Sequence, residues 1–349
     1  MTVVVHDQSP IAEARELVQD LYEPKPLIYW ADFLFHIVFG WTAFAVALIP
    51  SSPLWVKLVA VLLAVPALYR SVLFTHELAH LKKGTFKVFR VVWNLLCGIP
   101  LLAPSFTYRG VHSDHHKRDI YGTGEDGEYV PFAIGAPYEI ILYLLLVFIL
   151  PLFFIGRFLI LTPIAYMSRT VRRLTWRRAS SLTIDLAYVR PDFAARDETT
   201  WWAQEFAALV YSASVVGLVI AGILPVQILL LWYTAVLLVL LLNSFRTLAA
   251  HAYRNPVDRP LSLWEQYLDS VNVPGNPLLT SLWAPVGLRY HATHHLFPNM
   301  PYHNLGRAHR LLKNELTEAD LYLNTTRSSL WNALSVLWGE AKANTRAAN

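Results

Sequence analysis

Only one cysteine, Cys97, stands in 349 residues. A single thiol excludes a disulfide framework, a cysteine-ligated zinc site and a built-in rubredoxin- or ferredoxin-type iron–sulfur centre. Charge is also sparse: 15% of the residues are Asp, Glu, Lys or Arg, against 55% that are hydrophobic. That balance lies outside what a soluble domain of this length carries, and the long apolar runs mark an integral membrane protein. The net charge of +4 is small. It gives no reason to expect a nucleic-acid partner and matters only through where Arg and Lys lie. No cleavable signal peptide is visible, because residues 1–26 are polar, carry Asp7, Glu13, Glu16 and Asp20, and lack an apolar centre.

What the chain has is histidine. His112-Ser113-Asp114-His115-His116 carries the pattern H-x-x-H-H, which returns as His291-Ala292-Thr293-His294-His295. A third cluster, His76-Glu77-Leu78-Ala79-His80, lies upstream, so eight of the thirteen histidines sit in three short boxes. On a helix, positions i, i+3 and i+4 share a face, and each box therefore presents its imidazoles to a common point. Neutral imidazole is the commonest protein metal ligand and suits iron, zinc and copper. Eight ligands are too many for one four-coordinate zinc, so the count points to two metals.

Along the chain, residues 1–26 read as a cytoplasmic arm with a short amphipathic helix around Ile11–Leu21, broken by Pro24 and Pro26. Four spans are expected, at about 27–49, 54–75, 205–224 and 226–245, each long enough for a hydrocarbon core of ~30 Å. Tight turns at Pro50–Pro53 and about Pro225 pair them into two hairpins. In the first span Asp32 and His36 lie four apart, which reads as a mutually satisfied pair near the membrane surface. The second span runs into the first box and then Lys82, Lys83, Lys87 and Arg90, which by the positive-inside rule makes that end cytoplasmic. The run Arg169, Arg172, Arg173, Arg177 and Arg178 belongs to the same side. Between them, 91–104 is too short to cross, and 138–166 reaches only about 43 Å as helix, too little for two spans. The latter therefore reads as a re-entrant or interfacial pair bent at Pro151. Trp201 and Trp202 read as an interfacial anchor. The Gly-rich acidic loop Tyr121–Tyr129 is a poor phosphate cradle, because its carboxylates repel phosphate, and reads as a turn positioning the second box. Leu330, Trp331, Leu334, Leu337 and Trp338 recur at helical spacing and read as a core stripe.

The fold expected is thus one all-α membrane domain over residues 1–349. Two transmembrane hairpins and the re-entrant or interfacial segments carry a cytoplasmic helical cap (76–137, 167–204, 246–349) that holds the histidine boxes at one membrane face.

The trio H-x-x-x-H, H-x-x-H-H, H-x-x-H-H resembles the membrane fatty acid desaturase superfamily, as does His294-His295-Leu296-Phe297-Pro298 with Pro301, Asn304, Leu305, Ala308 and His309 after it. The resemblance covers most of residues 28–312. It implies a non-haem di-iron centre held by His76, His80, His112, His115, His116, His291, His294 and His295, with His251 in the place of a further ligand. It also implies an O2-dependent oxidoreductase acting on a fatty acyl chain, with introduction of a double bond as the leading expectation. Iron rather than zinc follows from that chemistry, since attack on an unactivated C–H bond needs a redox metal. Neutral ligands leave the ions' charge uncompensated, so carboxylates are expected to orient the rings, with Glu77, Asp114, Asp119, Asp126 and Asp269 as candidates. The protein would hold the acyl chain in an apolar tunnel beside the metals. Each turnover needs two electrons, and with no haem-binding segment and no cysteine cluster a separate ferredoxin or cytochrome-type donor is implied.

Alternatives exist inside and outside the family. Hydroxylation of lipids, alkanes or carotenoids uses the same boxes. So does oxidative decarboxylation of free fatty acids to terminal alkenes, for which Arg109, Arg246 or Arg289 would hold the carboxylate. His76-Glu77-Leu78-Ala79-His80 also matches the H-E-x-x-H motif of zinc metalloproteases, but that reading leaves two complete boxes without a purpose. A metal or proton transporter would want ionisable groups in mid-membrane, whereas here they cluster at the cytoplasmic ends.

Overall fold

The computed structural model describes residues 9–82, 84–192, 195–257, 259–317 and 319–348. Asp7 of the arm and Lys83 of the basic run lie outside the described residues. Among the described residues the regular structure is helical, with three isolated backbone bridges, His251–Ser270, Asn272–Tyr290 and Asn272–Thr326.

The arm folds as α1 (Ser9–Leu17), whose Ile11 and Ala14 are buried with Val18 and Leu21 against the segment after the third box. Helix α2 (Pro26–Leu48) and helix α3 (Leu54–His80) form the first hairpin. Proline opens α2 at its first turn, where its missing N–H costs nothing. Helix α3 continues without interruption through the first box. Arg90, on α4 (Lys87–Trp93), caps its far end by donating to the carbonyls of Leu78 at 2.6 Å and Leu81 at 2.9 Å. These are the carbonyls a helix end leaves without partners.

The second box lies on α5 (Phe106–His115). The apolar stretch after the acidic loop contains α6 (Pro137–Leu145), α7 (Leu150–Ile155) and α8 (Thr162–Met167). The basic helix α9 (Arg169–Ala179) follows, then α10 (Ala195–Ile220) and α11 (Gln227–Leu248), joined by a short turn. The C-terminal part holds α12 (Leu263–Asp269), α13 (Pro277–Trp283), α14 (His291–Leu296), α15 (Tyr302–Glu315), α16 (Ala319–Leu323) and α17 (Leu330–Ala348). The third box occupies α14.

Among the described residues, five helices are long and apolar enough to cross a membrane: Pro26–Leu48, Leu54–His80, Leu150–Met167, Thr200–Ile220 and Gln227–Leu248. Four match the expected spans. The fifth falls within 138–166, read above as re-entrant or interfacial. Its break also sits earlier than expected. The chain tightens into a 3-10 turn at Leu146–Phe148, and Pro151 stands in the first turn of α7, a position that tolerates it.

Two further expectations are corrected and one is extended. Trp201 is no interfacial anchor: it is 2% exposed, packed at a 56° tilt against Trp176 with ring centroids 4.4 Å apart, and Arg172 lies over its ring at 3.8 Å. Its neighbour Glu205 is buried and pairs with Arg157 at 2.6 Å and with Arg172, an ion triad that ties α9 and α10 together. On α17, Leu337 is buried, but Trp331 and Trp338 are exposed, so the stripe is only partly core. The Asp32–His36 pair is real but larger than expected. Asp32 also takes a bidentate bond from Arg70 of α3 at 2.6 and 2.5 Å and a bond from the Tyr302 hydroxyl at 2.7 Å, joining the first hairpin to α15.

Candidate metal centre

The first box keeps its two rings together, but boxes two and three do not each present their imidazoles to a common point as expected: packing divides both between two groups. His76, His80, His112, His116 and His294 form one group, and His115, His251, His291 and His295 a second. Within each group, one nitrogen per ring lies within 4.8 Å of all the others. Box two supplies both groups because His115 and His116, being adjacent, diverge on their helix. The same holds for His294 and His295. The two groups share a wall, with the rings of His116 and His295 stacked at 4.4 Å.

The inward atoms are Nε2. His80 and His112 approach by Nε2 at 2.7 Å, His294 and His116 at 3.1 Å, His291 and His251 at 2.9 Å, and His295 and His291 at 3.1 Å. The outward Nδ1 atoms of His115, His112 and His251 meet polar partners, whereas those of His291, His294 and His295 are buried without one. His115 Nδ1 lies 2.9 and 3.0 Å from the Asp126 carboxylate, and His112 Nδ1 lies 3.1 Å from both oxygens of Glu128 and 2.9 Å from the Tyr108 hydroxyl. His251 Nδ1 meets the Tyr121 hydroxyl at 2.8 Å and Ser270 at 3.3 Å. A carboxylate on Nδ1 fixes the proton there and leaves the Nε2 lone pair inward. Several such lone pairs converging within 3 Å repel unless a cation lies among them. Both ring nitrogens of His76 are buried without a hydrogen-bond partner, as expected of a ring whose inward nitrogen is meant for a metal. The donor set therefore fits two ions of the iron–zinc–copper class.

Electrostatics keeps the rings in the ligating form. Burial holds His112, His116, His251, His291, His294 and His295 well below the ordinary imidazole value, with the neighbouring rings adding to the effect. His115 differs: burial lowers it, but the adjacent Asp126 more than compensates and leaves it raised.

The expected carboxylates divide. Asp126 meets a ring directly. Asp269 acts at one remove, accepting from Tyr129 at 2.8 Å and from Tyr121 at 3.2 Å, and Tyr121 in turn meets His251. Burial raises Asp269 to about 6 against these hydrogen bonds. Glu77 does not orient a ring: its nearest approach to His76 Nδ1 is 3.8 Å. It accepts instead from the Tyr29 hydroxyl at 2.7 Å and from the Tyr302 backbone N–H at 3.1 Å. Asp114 pairs with Lys117 at 2.6 Å, and Asp119 is exposed, so neither reaches a ring. Sequence reasoning missed Glu128 and Tyr108. Glu128 belongs to the acidic loop read as positioning the second box, and through Asp126 and Glu128 that loop does so.

Of the three arginines, Arg109 is exposed, and Arg289 is partly buried with its guanidinium over the Tyr290 ring at 4.7 Å. Only Arg246 is buried near the clusters. An open apolar cleft lies between α2, α10 and α11, lined by residues such as Trp41, Phe44, Leu102, Tyr211 and Trp232. No cluster histidine lines it, so it is not the expected tunnel beside the metals.

The fatty acid desaturase family model matches residues 52–327. Over 338 residues the chain is 39% identical to a ceramide hydroxylase of Caulobacter vibrioides, which covers 97% of this chain and 95% of that protein. A match that contains all three boxes and both histidine groups, together with near-full-length similarity to a hydroxylase, leads to one conclusion: this chain belongs to the fatty acid desaturase family and is a membrane oxidoreductase of lipid metabolism with a di-iron type of histidine site.

Proposed function

We propose that this protein is a lipid hydroxylase, which places one oxygen atom of O2 into a C–H bond of a ceramide-type lipid. The observation that carries this reading is the near-full-length similarity to the ceramide hydroxylase, and it turns the reading from desaturation to hydroxylation. The overall reaction balances as C–H plus O2, two electrons and two protons giving C–OH and water. A separate ferredoxin or cytochrome-type protein supplies the electrons.

His76, His80, His112, His116 and His294 hold one iron, and His115, His251, His291 and His295 hold the other. The irons, when bound, supply the activation of O2 that no side chain can perform. The chain's own groups orient and exclude. Asp126 and Glu128 hold His115 and His112 in the tautomer whose Nε2 faces inward. Tyr121, fixed by Asp269, does the same for His251. Burial of the rings keeps bulk water from the reacting carbon. The topology proposed is one domain with two hairpins, α2–α3 and α10–α11, a re-entrant or interfacial 138–166, and the clusters in a cap on the cytoplasmic face.

The test is expression in a host with a compatible reductase and supplied with isotopically heavy O2, followed by mass spectrometry of total lipids and headspace gas. A sphingoid N-acyl lipid heavier by one labelled oxygen supports the reading. A product lighter by two hydrogens with no label makes the enzyme a desaturase, and volatile 1-alkenes make it a decarboxylase.

A further inference from the structure

Arg246 is 8% exposed and stands on the last turn of α11, five residues before His251. Its Nη2 donates to Asn243 Oδ1 at 3.1 Å, and its Nε has no hydrogen-bond partner. No carboxylate lies within ion-pair distance of it among the described residues. Tyrosine hydroxyls stand around it, with the Glu128 carboxylate acting on it from beyond ion-pair distance. Tyr69 lies against the guanidinium and donates its own proton to the Trp283 carbonyl at 3.0 Å. Tyr108, one turn before His112 on α5, and Tyr143 of α6 complete the group. A buried guanidinium with an idle donor is costly, and native structures keep few such groups without a reason.

Position and chemistry limit what can satisfy that donor. Tyr69 lies two turns before His76 on α3, and Arg246 lies a similar way before His251, so the polar group sits on the membrane side of both clusters. A lipid entering from the membrane meets it immediately before the metals. A chain oxidised far from its headgroup would present only methylenes there, for which a buried cation is a poor neighbour. A lipid oxidised within a few bonds of its polar group would present an oxygen. Of the five N–H groups, Nη2 gives one to Asn243, while Nε stands buried without a partner. One amide or hydroxyl oxygen is enough to satisfy it, and the uncharged headgroup of an N-acyl sphingoid lipid supplies such an oxygen.

We infer that Arg246, with Asn243 and Tyr69, forms a headgroup site that donates from Nε to an amide or hydroxyl oxygen of the lipid, so that the carbon oxidised is one close to that polar group. This rests on the hydroxylase reading and names the part of the substrate that the protein reads.

The test uses the iron-loaded full chain in detergent, with a short-chain N-acyl sphinganine, stearate and octadecane as probes. Affinity is read by intrinsic tryptophan fluorescence, and KM by product formation. The wild type is expected to bind the N-acyl sphinganine at least about tenfold more tightly than octadecane. Arg246→Gln is expected to weaken the N-acyl sphinganine about 10–100-fold in Kd and KM, the range for a hydrogen bond to a charged group, while octadecane binding and iron content hold steady. Arg246→Lys should recover part of the loss. Equal wild-type affinity for octadecane and N-acyl sphinganine overturns the inference, as does an Arg246→Gln loss shared equally by all three probes. Arg246-dependent preference for stearate overturns it in favour of a carboxylate site. Arg246-dependent binding of the N-acyl sphinganine without any oxygenated product leaves the headgroup site standing and sinks the hydroxylase reading.

Discussion

At the level of single residues, the centre depends on what sits behind the rings as much as on the rings. Asp126 is fully buried and accepts from His115 Nδ1, from the Gly122 N–H at 3.0 Å and from the Glu128 N–H at 2.9 Å, so one carboxylate orients a ligand and pins the loop that supplies its neighbour. Asp126→Asn is expected to lower iron retention or turnover about 10–100-fold, measured as iron content after dialysis and as product per iron. Asp119→Asn, altering an exposed carboxylate, should leave both unchanged. If the two variants behave alike, the orienting role of Asp126 is wrong. Which carboxylate belonged behind which ring was only partly legible beforehand. Asp114 is the closest in sequence to two box-two histidines, yet on α5 it lies between their directions and points to Lys117. Glu128 is sixteen residues from His112 and reaches it only because the acidic loop folds back over the helix.

Among the elements, that loop carries the most consequence for its size. Gly122 has φ +70°, and a Cβ there would stand 2.7 Å from Asn255 Nδ2, the group that donates to the Gly122 carbonyl at 2.7 Å. Gly122→Ala therefore combines a left-handed backbone position, which costs an L-residue about 1–2 kcal/mol, with displacement of Asn255. The expected outcome is a lower melting temperature in detergent and faster loss of iron on dialysis, both by way of a loosened Asp126. A variant indistinguishable from wild type would show that the loop tolerates the shift without moving its carboxylates. Glycine spacing signalled a turn here, but the contact with Asn255 joins residues 133 apart in sequence and was not visible in it. Trp201 makes the same point from the other side. An apolar aromatic after a polar stretch reads as an interface anchor, but the buried Arg157–Glu205–Arg172 triad draws that helix end inward.

For the whole molecule, the number of crossings among the five apolar helices fixes which loops share a face. With two hairpins as proposed, the turn at Ser51 and the turn after Ile220 share one face, and the cap lies on the other. If Leu150–Met167 crossed as well, the turn after Ile220 would move to the face of the first box and the third box would emerge on the opposite one, against the packing of His294 on His76 and His80 at 4.4 and 4.5 Å. Single cysteines at Ser51, Ala221 and Ser328, all exposed positions, separate the cases, since the native Cys97 is buried. An impermeant maleimide added to intact cells is expected to label Ser51→Cys and Ala221→Cys, and to reach Ser328→Cys only after permeabilisation. Labelling of Ser51→Cys without Ala221→Cys would count five crossings and end the two-hairpin topology.

Composition and local spacing alone determined that the chain is helical and embedded in a membrane, that four apolar segments have the length of spans, and that eight histidines come in boxes with a metal-binding face. Those are properties of periods of a few residues, and a linear chain displays them directly. The division of nine histidines into groups of five and four, the carboxylates and tyrosines behind them, and the idle donor of Arg246 were decided only by tertiary structure. Each requires residues from distant segments to meet within about 3 Å, the scale on which hydrogen bonds and ligand fields act. No local pattern encodes such distances.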